Sequence, residues 1–199
     1  TPVGGTPIER SSVYDGARAA FGSPFETHYD FSQAERILAL DADFTHDMPN
    51  SVRWARDFAE RRRLDSPLDN PSRLYVVEPC PTPTGSVADH RLALPARDIA
   101  ALAASVLVEL VAITGYQLPD AVLQSAQDIA GDGSREWAEI VARDLAEQRG
   151  SSIVIAGPRQ PLATHTLAHA INTVLGNIGQ TVSLRESVLL DPDGGLTLA

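Results

Sequence analysis

The chain has 199 residues, 43% of them hydrophobic, and a formal net charge of -10. That length allows a substantial core in one large domain or two small ones, and the acidic balance excludes a nucleic-acid or anionic-membrane surface, which needs basic clusters. All 16 basic residues are arginine, which removes lysine chemistry, and the single cysteine, Cys80, removes a disulfide framework or a several-thiolate cluster within the chain.

Residues 1–9, rich in Gly, Pro and Thr, predict an irregular arm. Residues 11–21 predict a short helix that Ser11 or Ser12 starts and Gly22 ends. Asp30 to Glu35 reads as one helical turn leading into a first strand at 37–40. That strand belongs to Arg36-Ile37-Leu38-Ala39-Leu40-Asp41-Ala42-Asp43-Phe44, an apolar run that stops on two carboxylates. Asn50 or Ser51 caps a helix to about Arg63, with Val52, Ala55, Phe58 and Ala59 expected inward. The Arg61-Arg62-Arg63 run reads as a solvated helix terminus that complements the helix dipole.

After a Pro/Asp/Asn linker at 64–72, residues 74–77 predict a second strand buried on both faces. Pro79, Pro81 and Pro83 predict an extended loop without helix. A short strand is expected within 88–94, then a helix from about Asp98 to Ile113 ended by Gly115. The apolar part of that helix is shorter than the roughly 20 residues of a membrane span and contains Glu109, so it reads as a core helix with no direct membrane insertion. A helix with Pro119 at its first position follows, carrying Val122, Leu123, Ala126, Ile129 and Ala130 at helical spacing. The next, after Ser134, carries Trp137, Ile140, Val141 and Leu145. A third strand at 152–156 opens through Gly157-Pro158 into a helix with Leu167, Ala168, Ile171, Val174 and Leu175 inward. A fourth strand is expected at 180–184, followed by a tail that is a hairpin or frayed.

Strands alternating with helices through short loops imply an α/β layered fold, a mainly parallel Rossmann-like sheet with helices on both faces. The division expected is an arm with a short helix at 1–28, a Rossmann-like first half at 29–116, and an α/β segment at 117–185. That last segment either completes the sheet or forms a second lobe, and 186–199 reads as a truncated tail of a longer chain. No targeting leader is expected.

Motifs for chemistry are sparse. The sequence has no Gly-x-Gly-x-x-Gly after a strand, no Gly-Lys-Ser/Thr phosphate loop and no Gly-x-Ser-x-Gly elbow. A nucleotide fingerprint would place glycines at Asp41-Ala42-Asp43, where two carboxylates would repel a pyrophosphate. His165 and His169 share one helix face at a metal-ligand spacing, but no third ligand accompanies them, and packing or hydrogen bonding is the expected role. Cys80 reads as a passenger and Asp89-His90-Arg91 as a small structural ion cluster. No catalytic residue and no metal site is expected.

Two blocks of the sequence resemble a known family. The first joins Tyr29-Asp30-Phe31-Ser32-Gln33-Ala34-Glu35-Arg36 and the Leu40-Asp41-Ala42-Asp43-Phe44 run to Ser51-Val52-Arg53-Trp54-Ala55-Arg56-Asp57-Phe58. It continues through Leu74-Tyr75-Val76-Val77-Glu78-Pro79, Pro81-Thr82-Pro83-Thr84-Gly85 and Ala88-Asp89-His90-Arg91-Leu92. The second runs from Val154-Ile155-Ala156-Gly157 through Leu167-Ala168-His169-Ala170-Ile171-Asn172 to Leu175-Gly176-Asn177-Ile178-Gly179. Together, over residues 17–185, they resemble the middle of the molybdopterin oxidoreductases. More narrowly, they resemble the molybdopterin-oxidoreductase-like subunit of alternative complex III, a quinol:acceptor oxidoreductase of respiratory chains.

The resemblance implies the layered fold, the other subunits of a membrane respiratory complex as partners, and iron–sulfur clusters elsewhere in a longer polypeptide. It also implies a periplasmic position, peripheral to the membrane. Catalytic relatives have a Gly-x-Asn-Pro type loop at the place of Asp41-Ala42-Asp43-Phe44 and Asp-Pro-Arg-x-Thr at the place of Glu78-Pro79-Cys80-Pro81-Thr82. They also have a long insert between the segments matching Ile113 and Trp137, which is brief here. Asp41, Asp43, Glu78, Thr82, Thr84 and Gly157 are therefore expected to be vestigial loop positions with no cofactor. A molybdenum pterin guanine dinucleotide, bound in an active oxidoreductase, is the alternative.

Overall fold

The computed structural model describes residues 11–65 and 70–186. The arm at 1–9, part of the 64–72 linker and the tail beyond Glu186 lie outside the described residues. The elements are α1 (Ser11–Phe21), β1 (Phe25–Tyr29), β2 (Arg36–Leu40), α2 (Ser51–Arg61), β3 (Arg73–Glu78), α3 (Pro83–Ser86) and β4 (His90–Ala93). They continue with α4 (Ile99–Thr114), α5 (Asp120–Ile129), α6 (Arg135–Glu147), β5 (Ser152–Ala156), α7 (Leu162–Val174) and β6 (Val182–Glu186).

Four strands form an all-parallel sheet in the order β4-β3-β2-β5. The register aligns Ile37 with both Leu74 and Ile153, and Leu40 with both Val77 and Ala156, so the carboxyl ends of three strands finish level. β2 is buried along its whole length, and the period of two sends alternate residues into two cores. Leu38 and Leu40 join Tyr75, Val77 and Val154 under α4, α6 and α7. Ile37 and Ala39 join Leu74, Val76, Ile153 and Ile155 under α2 and its neighbours. That second core is aromatic: Phe31 stacks on Phe44 at 4.4 Å, and Phe58 meets Phe44 edge-on at 5.5 Å. The helices on both faces are those of a Rossmann-like layered α/β fold.

Several details differ from the sequence expectations. The inward face of α2 is Trp54, Asp57 and Phe58, whereas Val52 is 86% exposed. Asp57 is tolerated there because Arg53 and Arg56 reach its carboxylate at 3.3 Å and 3.1 Å. The Pro-rich loop is not helix-free: Pro83 opens α3, at the position where a missing N–H costs nothing. Ile140 on α6 and Val122 and Ile129 on α5 are exposed, and of the expected α5 residues only Ala126 is fully buried. Pro119 stands one position before α5, as its N-cap. The arginines ending α2 are engaged rather than simply solvated: Arg61 pairs with Glu35, Arg62 with Asp89, and Arg63 with Asp65 at 3.0 Å.

The strand expected at 180–184 is β6, and it does not join the parallel sheet. It pairs antiparallel with β1, Phe25 opposite Glu186 and Tyr29 opposite Val182. The outer edge of β5 is already taken by side chains. Asn172 donates from Nδ2 to the Val154 carbonyl at 2.7 Å and accepts from the Val154 N–H at 3.0 Å. Asn177 accepts from the Ser152 N–H at 3.3 Å, and the Thr181 hydroxyl donates to the Ser152 carbonyl. With these groups occupied, the chain reverses at Gly179, at φ 85, and runs to β1 instead.

One partly buried charge cluster ties the amino ends of the strands to α6. Asp144 accepts from Arg36 Nε at 2.8 Å, Arg73 Nη1 at 2.9 Å and Tyr75 Oη at 2.7 Å. Three donors on one carboxylate offset the desolvation of burying it, and its pKa lies below the usual value despite that desolvation. Among the described residues no helix is long and apolar enough to cross a membrane.

Candidate functional site

The loops leaving β2, β3 and β5 converge at one end of the sheet, where a parallel α/β fold places its ligands. Asp41 is the first residue beyond β2, at φ 53, the left-handed region that glycine favours and aspartate tolerates better than most. Its N–H donates to the Val77 carbonyl at 2.7 Å, and its carboxylate accepts from Gln160 Nε2 at 2.8 Å. Burial raises the Asp41 carboxyl above its ordinary range; the Gln160 bond and the Arg159 charge oppose the rise, and Glu78 adds to it.

Gly157 follows β5 and passes directly against that turn. A Cβ at Gly157 would sit 1.8 Å from the Asp41 carbonyl oxygen and 2.6 Å from its carbon. The crossing of two backbones therefore requires this glycine, with no ligand involved. Its own N–H donates to the Leu40 carbonyl at 2.9 Å.

Asp43 and Thr84 lock the β2 loop to the β3 loop. The carboxylate of Asp43 accepts from the Thr84 N–H at 3.0 Å and from its hydroxyl at 2.6 Å. The Thr84 oxygen in turn accepts from the Thr45 N–H at 3.1 Å. Glu78 is buried at the end of β3, where Oε1 accepts from Arg91 Nε at 2.5 Å and Oε2 from the Thr82 hydroxyl at 2.7 Å. Thr82 then caps α3 by accepting from the Gly85 N–H at 3.0 Å. Gly85 leaves room for the carboxylate, since a Cβ there would fall 1.9 Å from Glu78 Oε1.

All six loop positions named from the sequence thus gather at this end of the sheet. Asp41, Asp43 and Thr82, with Asp47, Pro158 and Arg159, line a cavity of about 100 Å³. Three carboxylates face one guanidinium, and Arg159 already reaches Asp47 at 3.0 Å. A phosphate entering here would meet a surplus of negative charge, and the Thr84 amide and hydroxyl that could bind it are held by Asp43. Sequence reasoning missed Thr45, Asp47, Arg159 and Gln160. No local pattern marks them, because their partners lie in other loops.

The remaining candidates lie elsewhere. Asp89, His90 and Arg91 do not form one cluster. Asp89 accepts from Arg62 and from the Leu74 N–H at 2.7 Å, the His90 ring stacks on Tyr75 at 4.9 Å, and Arg91 goes to Glu78. Alternation along β4 sends neighbours to opposite sides. Cys80 is exposed in the β3 loop. His165 and His169 are both buried on α7, beneath α1, where a Cβ on Gly16 would be 2.4 Å from the Cβ of His165. Burial pushes His165 down to about 4, partly opposed by a bond to the Gln160 backbone. It pushes His169 down to about 4 as well, with the His165 charge as a second cause. Among the described residues no group of three or more His, Cys, Asp or Glu is arranged to hold a metal ion.

Neither a family model nor a curated protein matches the sequence. Among solved structures, the fold is similar to that of acetylene hydratase from Pelobacter acetylenicus, with a TM-score of 0.65 over 87% of this chain at 15% identity. The chain spans 25% of the length of that protein.

Proposed function

We propose that this chain is a segment of a molybdopterin-oxidoreductase-like protein that serves as a cofactor-free scaffold in a respiratory quinol:acceptor electron-transfer complex. The fold likeness to acetylene hydratase, a molybdopterin enzyme, agrees with the family resemblance read from the sequence and supports the molybdopterin-oxidoreductase-like part of this reading. The observation that carries the rest is the mutual closure of the strand-end loops: Asp41 on Gln160, Asp43 on Thr84, and Glu78 on Thr82 and Arg91.

A pterin guanine dinucleotide carries a pyrophosphate, which needs free N–H donors or cations where it lies. These residues do not fit it. The carboxylates take up donors of the loops, and a phosphate could recover those donors only by displacing Asp41 or Asp43 from bonds they already make. In this reading the strand ends keep the shape of the fold while the chain presents surfaces to the other subunits of the complex.

Metal analysis of the full-length protein, purified from its source, tests the proposal. Molybdenum and tungsten are expected far below stoichiometric amounts. Either metal near one per chain, together with a released pterin, would overturn the scaffold reading and favour an active oxidoreductase.

A further inference from the structure

A second cavity, of about 80 Å³, lies between α1, β1, the start of α2 and α7, with Pro158 bordering both it and the acidic one. Val13, Tyr29, Met48 and Trp54 give it apolar and aromatic walls. Three buried polar atoms of residues that line it have no protein partner: His165 Nε2, His169 Nδ1 and Thr27 Oγ1. Side chains this deeply buried ordinarily find hydrogen-bond partners, and an unmade bond costs more than a made one returns. The two rings are 4% and 3% exposed.

We infer that this cavity binds a small uncharged molecule carrying a hydroxyl or primary amide, held by the free nitrogens of His165 and His169 and by the Thr27 hydroxyl. A neutral imidazole carries one N–H and one bare nitrogen, so a hydroxyl or a primary amide, able both to donate and to accept, can satisfy the unpartnered nitrogen of either ring in either tautomer. The group should also accept, because the Thr27 hydroxyl has a proton to give. Full charges are disfavoured by the same desolvation that keeps both rings neutral, and an anion would in addition face Glu26 in the lining. A metal ion is disfavoured as well: Glu26 is in the lining, but among the described residues no three His, Cys, Asp or Glu side chains are arranged to hold one. The size admits only a few heavy atoms, since a cavity of about 150 Å³ is what holds benzene.

The test is a titration of the ¹⁵N-labelled 199-residue chain with isopropanol and with acetamide, read by long-range ¹H–¹⁵N correlations of the imidazoles at neutral pH. Saturable shifts at His165 and His169 with millimolar midpoints are expected, in keeping with the affinity ceiling per heavy atom. Thr27→Val should raise the isopropanol midpoint by about fivefold to tenfold, the worth of one buried hydrogen bond. Isopropylammonium, acetate and Zn²⁺ should each bind at least about tenfold more weakly than isopropanol. The inference is overturned if neither neutral probe gives a saturable shift, if Thr27→Val leaves the midpoint unchanged, or if a charged probe binds as well as isopropanol.

Discussion

Acidification from neutral pH should destabilise this protein before any carboxylate cluster is affected, and the cause is the histidine pair beneath α1. Each ring is depressed from 6.5 to about 4 in the folded state. Between those values the unfolded chain binds protons that the folded chain refuses, so stability is complete above 6.5 and falls as pH drops toward 4. One pH unit corresponds to about 1.4 kcal/mol, so each ring withdraws about 3 kcal/mol across the window. For both rings that is about 6 kcal/mol, a large part of the roughly 5–15 kcal/mol by which domains are stable.

Few other groups confuse the reading. Tyr14, Glu26 and Tyr29 border the same cavity, and of these only Glu26 is a carboxylate. Asp41, raised in the folded state, acts in the opposite sense, because its protonation favours the native form. Asp144 and Asp89 are lowered from 3.8, so their contributions are lost only as pH falls below that value. Urea unfolding followed by far-UV circular dichroism at pH 7, 5.5 and 4.5 measures the effect. The midpoint should fall steadily with constant slope in urea, and His165→Gln/His169→Gln should flatten the dependence. Equal stability at pH 7 and 4.5, or an unchanged pH dependence in the double variant, would refute the argument.

Two substitutions probe the contacts that shape the sheet. Gly157→Ala places a methyl group 1.8 Å from the Asp41 carbonyl oxygen, where neither backbone can yield cheaply. A loss of about 3 kcal/mol or more in chemical denaturation is expected, against about 1 kcal/mol for Gly115→Ala, where only the φ of 66 opposes a side chain and the space is open. Asn172→Ala strips both Val154 backbone groups of their partner. It should cost about 2–6 kcal/mol, two buried groups at about 1–3 kcal/mol each being left bare or poorly solvated, and a loss below about 0.5 kcal/mol would show that the edge bonds are dispensable.

The parallel strands were legible because burial on both faces writes itself as an unbroken apolar run: Ile37 to Leu40, Leu74 to Val77, Ile153 to Ala156. The long helices were legible from their period and from glycines such as Gly115, which stops α4 at φ 66. β1 was not, since Phe25 to Tyr29 is half-buried throughout and its partner β6 lies at the far end of the described chain. The face of α2 was misjudged because an apolar pattern cannot anticipate a buried carboxylate such as Asp57 drawn in by two arginines. Of the acidic end of the sheet, the sequence showed which residues gather but not what they touch. Asp43 and Thr84 are 41 positions apart and Asp41 and Gln160 are 119 apart, so no local pattern encodes either bond.

The side-chain seal along β5 gives the sheet a direction across its width. At one margin Asn172, Asn177 and Thr181 occupy Ser152 and Val154, the positions where a further strand would dock. At the other, among the described residues, β4 pairs only with β3 and its residues are largely exposed. A strand added to this parallel sheet, from another part of a longer polypeptide or from a neighbouring subunit, would join beside β4, and charged or bulky substitutions along His90–Ala93 are the means to block it.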